Sequence, residues 1–177
     1  FNLTCDQALE ASLGESYIGD TTNAPIPELQ DLCDGIIPTT GALWYSIEGD
    51  GTGYTVTTCN KGTEFDTILI VMCGGCNYQF CVAGNDDDPS CFVNFVGEST
   101  VSWCTEPGVE YIILVTGNEE GEYELCVTSD GVPCKADPLQ CVFVCADSSG
   151  VANDCCEDRL PICLLYTSDA ADETCRV

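Results

Sequence analysis

Between positions 122 and 128 apolar and polar residues alternate, with Tyr123, Leu125 and Val127 on one side and Glu122, Glu124 and Thr128 on the other. That period of two predicts a strand half-buried against a core. Residues 66–73 (DTILIVMC) are instead a continuous run rich in β-branched residues, which predicts a central strand covered on both faces. The runs FCVAG, CFVNFVG, STVSWC and VEYIILVTG are each bounded by Gly, Pro, Asp or Asn and read as further strands. Residues 42–49 (ALWYSIEG), the turn Asp50-Gly51-Thr52-Gly53 and residues 54–59 (YTVTTC) predict a β-hairpin. No stretch carries a long helical period, and residues 6–13 (DQALEASL) amount to one short helical turn at most. Regularly spaced strands without helices mean an all-β sandwich or barrel.

After Ser129 the character changes. Residues 1–130 are expected to form the β-sandwich and 131–152 a cysteine-containing linker, with one more strand in CVFVCADSSG. Residues 153–177 are expected to begin a second copy, because NDCCEDRLPI echoes the opening NLTCDQALEA. The echo is short enough for chance to produce it. Residues 163–173 (CLLYTSDAADE) read as the translation of the transposon-end adapter of a common sequencing library. The expectation is therefore that the authentic gene continues differently past Ile162, which leaves Cys163 and Cys175 foreign to it.

Sixteen cysteines in 177 residues change the picture most. That many thiols imply an oxidising compartment and a disulfide framework. A multi-zinc protein fails on ligands, since the chain has no histidine and no repeated short-spaced cysteine pairs. The expected disulfide cysteines are Cys5, Cys33, Cys59, Cys73, Cys76, Cys81, Cys91, Cys104, Cys126, Cys134, Cys141, Cys145, Cys155 and Cys156. Sequence does not fix their connectivity; Cys76 with Cys81 and Cys5 with Cys33 are the local pairings it suggests. Cys73-Gly74-Gly75-Cys76 has redox spacing but lacks the βαβ setting and helix N-terminus that would activate a thiol, so the two glycines read as a turn.

Thirty acidic residues against four basic ones give a formal charge of −26. Nucleic acid and anionic membrane surfaces are repelled by such a chain, whereas cations or a cationic partner are favoured. Solubility alone explains most of the acids. No apolar run approaches the ~20 residues needed to span a bilayer. The N-terminal residues lack the basic and apolar regions of a signal peptide, so Phe1 is expected to be a processed or cloning-derived start. Asn2-Leu3-Thr4 is a glycosylation sequon, consistent with a secreted glycoprotein.

The best candidate site is the acidic loop Asn85-Asp86-Asp87-Asp88, with Asp66 as a further ligand if the two loops meet. Calcium takes six to eight oxygen ligands, which crowded carboxylates and carbonyls provide. The plain alternative is a solvated turn with Asn and Asp chosen for its geometry. The Gly and distal Glu of an EF-hand are missing. An enzyme is not expected: the glycine of an aspartic-protease motif is replaced by Ile68 after Asp66-Thr67, and bases for a nucleophile are few. Trp44, Tyr45, Trp103 and Tyr111 are candidates for a sugar-stacking face. Adjacent Trp44 and Tyr45 must point to opposite faces, however, and core packing is expected for both tryptophans.

The ordered set NLTCDQALEA, LWYSIEGDGTGYTVTTC, FDTILIV, CVAGNDDD, GVEYIILVTG and GEYELCV resembles the bacterial pre-peptidase C-terminal domain and its relatives in secreted proteins. These pieces cover about seven-tenths of the chain. The resemblance implies a jelly-roll-like antiparallel β-sandwich of roughly eight or nine strands. The chain departs from the bacterial pattern in its cysteine density, which makes it a disulfide-stapled variant. The resemblance also implies a non-enzymatic secreted accessory module, often repeated, with calcium-dependent collagen-binding modules among its relatives. The function expected is a structural or adhesive unit of a tandem or polymeric matrix, surface or appendage-filament protein. Its partners would be other copies, neighbouring repeats, or an extracellular glycan or protein. Alternatives are a calcium-assisted carbohydrate- or protein-binding module and the accessory domain of a secreted hydrolase.

Overall fold

The computed structural model describes residues 2–29, 33, 35–77, 79–91, 93, 96–136 and 141. They belong to one compact unit, Phe1–Cys141. The rest of the chain, with Cys145, Cys155, Cys156, the expected second copy and the adapter-like tail, lies outside the described residues.

Among the described residues, nine strands follow one 3₁₀ turn at Cys5–Gln7: β1 (Leu9–Glu10), β2 (Ser16–Asp20), β3 (Leu43–Glu48), β4 (Thr52–Thr57), β5 (Thr67–Cys73), β6 (Phe80–Asp86), β7 (Thr100–Cys104), β8 (Glu110–Gly117) and β9 (Glu122–Pro133). One sheet has the order β1-β3-β8-β5-β6 and the other β2-β9-β4-β7. The antiparallel pairs are nested, β2 with β9, β3 with β8, β4 with β7 and β5 with β6, alternately in one sheet and the other. This is jelly-roll connectivity, a long folded ribbon wrapped into two layers. The short β1 departs from the all-antiparallel expectation by pairing parallel to β3.

The expected hairpin over 42–59 is not formed. β3 and β4 lie in different sheets, and the Asp50 turn is the corner between layers. Asp50 accepts hydrogen bonds from the Thr52 backbone (2.9 Å) and hydroxyl (2.6 Å), and Gly51 has φ +91. The same Asp-Gly chemistry closes hairpins and corners alike. Here β3 finds the longer β8, and β4 is sandwiched between β7 and β9. Tyr45, Ile47, Tyr54 and Val56 thereby face one core from opposite layers. The run CFVNFVG supplies no strand among the described residues, and its Cys91 is crosslinked to Cys59 instead.

The five-stranded sheet is covered on both faces, which explains the unbroken apolar run in β5. Leu69, Val71 and Cys73 face the inter-sheet core, while Ile68, Ile70 and Met72 join Trp44, Ile112 and Leu114 in a second cluster on the outer face. Ala8, Leu29, Ile36 and Cys33 cap that outer cluster. Trp44 and Tyr45 do point to opposite faces, and both are buried. In β9 the period of two holds, with Tyr123, Leu125 and Val127 fully buried.

Five disulfides join the described residues: Cys5–Cys76, Cys33–Cys81, Cys59–Cys91, Cys73–Cys141 and Cys104–Cys134. The local pairings suggested by spacing are thus exchanged. The segment carrying Cys5 reaches the β5–β6 turn, and Cys33 lies over the outer cluster beside Cys81 of β6. Cys73 and Cys76 bond to different partners and form no redox pair. Cys126, expected in a disulfide, has no disulfide partner among the described residues. It shares the outward face of β9 with Glu124, and its cross-strand neighbours are Ser16 and Thr57, so no described cysteine meets it.

Candidate functional site

Strand order assembles the acidic loop end. β8, β5 and β6 are neighbours, so the end of β8, the start of β5 and the end of β6 meet at one edge of the sandwich. Asp66 precedes β5, Asp86 closes β6 in register with Ile68, and Asn118 follows β8. Asp87 turns the chain away with φ +72. Carboxylate oxygens of Asp66, Asp86 and Asp87 lie within 4.8 Å of one another, Asp66 half-buried and the other two exposed. The two loops singled out in the sequence therefore meet.

Asn118 bridges two of the acids, its amide donating to Asp66 Oδ2 (3.1 Å) and Asp86 Oδ1 (3.3 Å). The Asn118 backbone N–H also donates to the Asp66 carbonyl at 3.0 Å. Asp66 Oδ1 is buried and has no hydrogen-bond donor among the described residues. Burial pushes the Asp66 carboxyl above the usual carboxylate range, opposed by the Asn118 amide and reinforced by the negative charges of Asp87, Asp86 and Glu119. Burial likewise raises Asp86, with Asp87 adding to the effect and Asn118 opposing it. Gly97 closes the cluster from the segment before β7, its carbonyl accepting from Thr67 N–H at 2.9 Å. A Cβ at Gly97 would lie 2.6 Å from Asp66 Oδ1 and 2.8 Å from Asp87 Oδ1, and φ there is +92, so glycine alone fits.

Asn85 and Asp88 do not join the three acids. Asn85 accepts from Thr100 N–H (3.1 Å) and donates to the Asp87 carbonyl (3.3 Å), bracing the end of β6. Asp88 accepts from the Ser90 hydroxyl (2.6 Å) and backbone (2.8 Å), which hold its carboxyl below the usual range. Asn118 and Gly97 were not singled out in the sequence. The one available signal was for Asn118, an Asn directly after the predicted strand that ends at Gly117.

The other candidates have structural surroundings. Asn2 donates its side-chain amide to the Trp44 carbonyl at 3.0 Å. Trp103 packs edge-on to Tyr54, ring centres 5.8 Å apart, and tilted against Tyr111 at the same distance. Trp44, Tyr45, Trp103 and Tyr111 are all buried, so these four offer no stacking platform at the surface. A shallow depression of about 400 Å³ on the four-stranded sheet is lined by Thr55, Ser102, Asp130 and the Cys104–Cys134 pair, with no nucleophile–base couple among them.

Fold and loop end together define a disulfide-stapled jelly-roll module with an acidic cluster at one end. No protein-family model matches the chain, and no curated protein matches it. Among solved structures it is similar to the pre-peptidase C-terminal domain of collagenase from Bacillus anthracis, with 14% identity over 68% of this chain and 94% of that one and a TM-score of 0.45.

Proposed function

We propose that the chain is a non-enzymatic extracellular module of a structural or adhesive protein, one unit of a tandem or polymeric surface, matrix or appendage component. The disulfide network is the observation that supports this best. Bonds spanning 30 to 71 residues crosslink an architecture that two hydrophobic clusters already hold together. Each bond stabilises by about 2–4 kcal/mol, chiefly by restricting the unfolded chain. Such crosslinks persist in oxidising surroundings and suit exposure to proteases and shear. The test is electron microscopy and sedimentation of the chain secreted from an oxidising compartment, over a range of concentrations. Ordered filaments or stable multimers are expected. A monomer at every concentration would overturn the polymeric reading, and turnover of a peptide or polysaccharide substrate the non-enzymatic one.

A second reading, calcium-assisted binding of a carbohydrate or protein, is favoured by Asp66 Oδ1, a buried oxygen without a donor beside two more carboxylates. The positive charge of calcium would offset the burial and mutual repulsion that disfavour ionised Asp66 and Asp86, with Asp87 as third ligand. Binding at a hundred times Kd adds about 2.7 kcal/mol to stability. Calcium is therefore expected to raise Tm over the chelated protein, and to lose that effect in Gly97→Ala. An unchanged Tm in millimolar calcium would remove this reading.

A further inference from the structure

The short β5–β6 turn holds both ends of the module. Cys5, ahead of every described strand, is bonded to Cys76, and Cys141, beyond every described strand, is bonded to Cys73. Between these two anchor points stand only Gly74 and Gly75, both with positive φ (93 and 76), a conformation that glycine adopts without strain. All nine described strands lie in sequence between Cys5 and Cys141. Tension applied ahead of Cys5 and beyond Cys141 therefore has a covalent route through Cys76, Gly75, Gly74 and Cys73 that enters neither sheet beyond the end of β5.

We infer that Cys73-Gly74-Gly75-Cys76 is a tension-bearing clasp, which passes load between the ends of the module without loading its sandwich. The clasp itself stands on two disulfide pairings, whereas its use in a tandem protein rests on the function proposed above. The two bonds span 5.5 and 5.4 Å between Cα atoms. With three peptide steps of about 3.8 Å between Cys73 and Cys76, the covalent route is about 20 Å long. Without any disulfide, the roughly 136 residues from Cys5 to Cys141 would extend to about 450 Å at about 3.3 Å per residue. Loss of one clasp bond gives an intermediate length, because the other crosslinks shorten the detour. Without Cys73–Cys141 the shortest route leaves Cys76, crosses Cys104–Cys134 and comprises roughly 35 residues, about 120 Å. Without Cys5–Cys76 it crosses Cys33–Cys81 and is about as long.

Optical-trap stretching of the full chain, with handles at its two termini, reads these lengths directly. The oxidised parent and the control C104S/C134S are expected to reach the same final extension, since that third bond lies off the clasped route. C73S/C141S and C5S/C76S are each expected to extend further by about 100 Å. The segment beyond Cys141 is common to all four proteins and cancels in the comparison. Final extension depends on the covalent route and not on folding, so a destabilised variant still gives a reading. Equal extensions for the parent and either clasp variant would overturn the inference, as would peptide mapping that paired Cys73 or Cys76 differently. A clasped chain that stayed monomeric would count against the polymeric reading alone.

Discussion

The hydroxyls of Tyr45 and Tyr123 meet 2.7 Å apart inside the core, one from β3 and the other from β9, so a buried hydrogen bond joins the two sheets there. Both side chains are buried, and burial raises both phenols above their ordinary range. Gly19 lies opposite Tyr123 in register, and a Cβ there would overlap the Tyr123 ring. The pair therefore depends on a glycine in a strand otherwise marked as an edge.

Tyr45→Phe is expected to cost about 1–3 kcal/mol, because it leaves the Tyr123 hydroxyl buried without a partner. The double variant Tyr45→Phe/Tyr123→Phe should cost less than the sum of the two single changes, since no orphan hydroxyl remains. Denaturant unfolding of the four proteins measures the coupling. Strict additivity would mean that the hydroxyls do not depend on each other.

Much of this architecture was legible because its strands obey their periods. Tyr123, Leu125 and Val127 alternate inward as expected, and the apolar run expected over 66–73 is buried from Thr67 to Cys73, covered on both faces. The sheet assignment of β3 and β4 was not legible, because Asp50-Gly51 makes a corner with the same residues that would make a hairpin. Core packing was expected for Trp44 and is found, but what covers it was not legible, since the cover comes from Ala8, Leu29, Cys33 and Ile36, which carry no periodic pattern. At the acidic end, Asp66, Asp86 and Asp87 announce themselves by charge beside strand ends. Asn118 and Gly97 enter only through the order β8-β5-β6 and the return of the chain to Thr67, long-range facts with no local signature.

The cluster predicts a particular pH dependence in the presence of chelator. Asp66 and Asp86 lie above their unfolded values, so the folded chain binds protons more readily than the unfolded chain. Their contribution to stability grows as pH falls towards about 4 and is lost as pH rises through the folded values. Asp88 has the opposite sign, since its lowered value contributes stability that is lost only as pH falls below about 4. Asp66→Asn removes one repelled, desolvated charge and should raise Tm relative to the parent at pH 7, by a margin that shrinks towards pH 4. Thermal melts of both proteins in chelator at successive pH values test this. A margin independent of pH would show that the Asp66 charge costs the fold nothing.

Cys33–Cys81 closes the cover over the outer cluster, and its removal should uncover that face in particular. Cys33 is completely buried against the group that contains Trp44, Ile70, Met72 and Leu114. The backbone approaches closely here, for a Cβ at Gly84 would lie 3.0 Å from both Cys33 Cβ and Ile36 Cδ1. The variant C33S/C81S loses a crosslink worth about 2–4 kcal/mol. It also frees the segment bearing Leu29 and Ile36 to leave the sheet, exposing apolar surface worth about 25 cal/mol per Å². In a Trp103→Phe background, which leaves Trp44 as the sole tryptophan, its emission should shift to the red and a hydrophobic dye should bind. C104S/C134S, whose bond lies at the other sheet, should lose stability without either change. Blue emission and no dye binding in C33S/C81S would mean that the outer cluster holds its cover by packing alone.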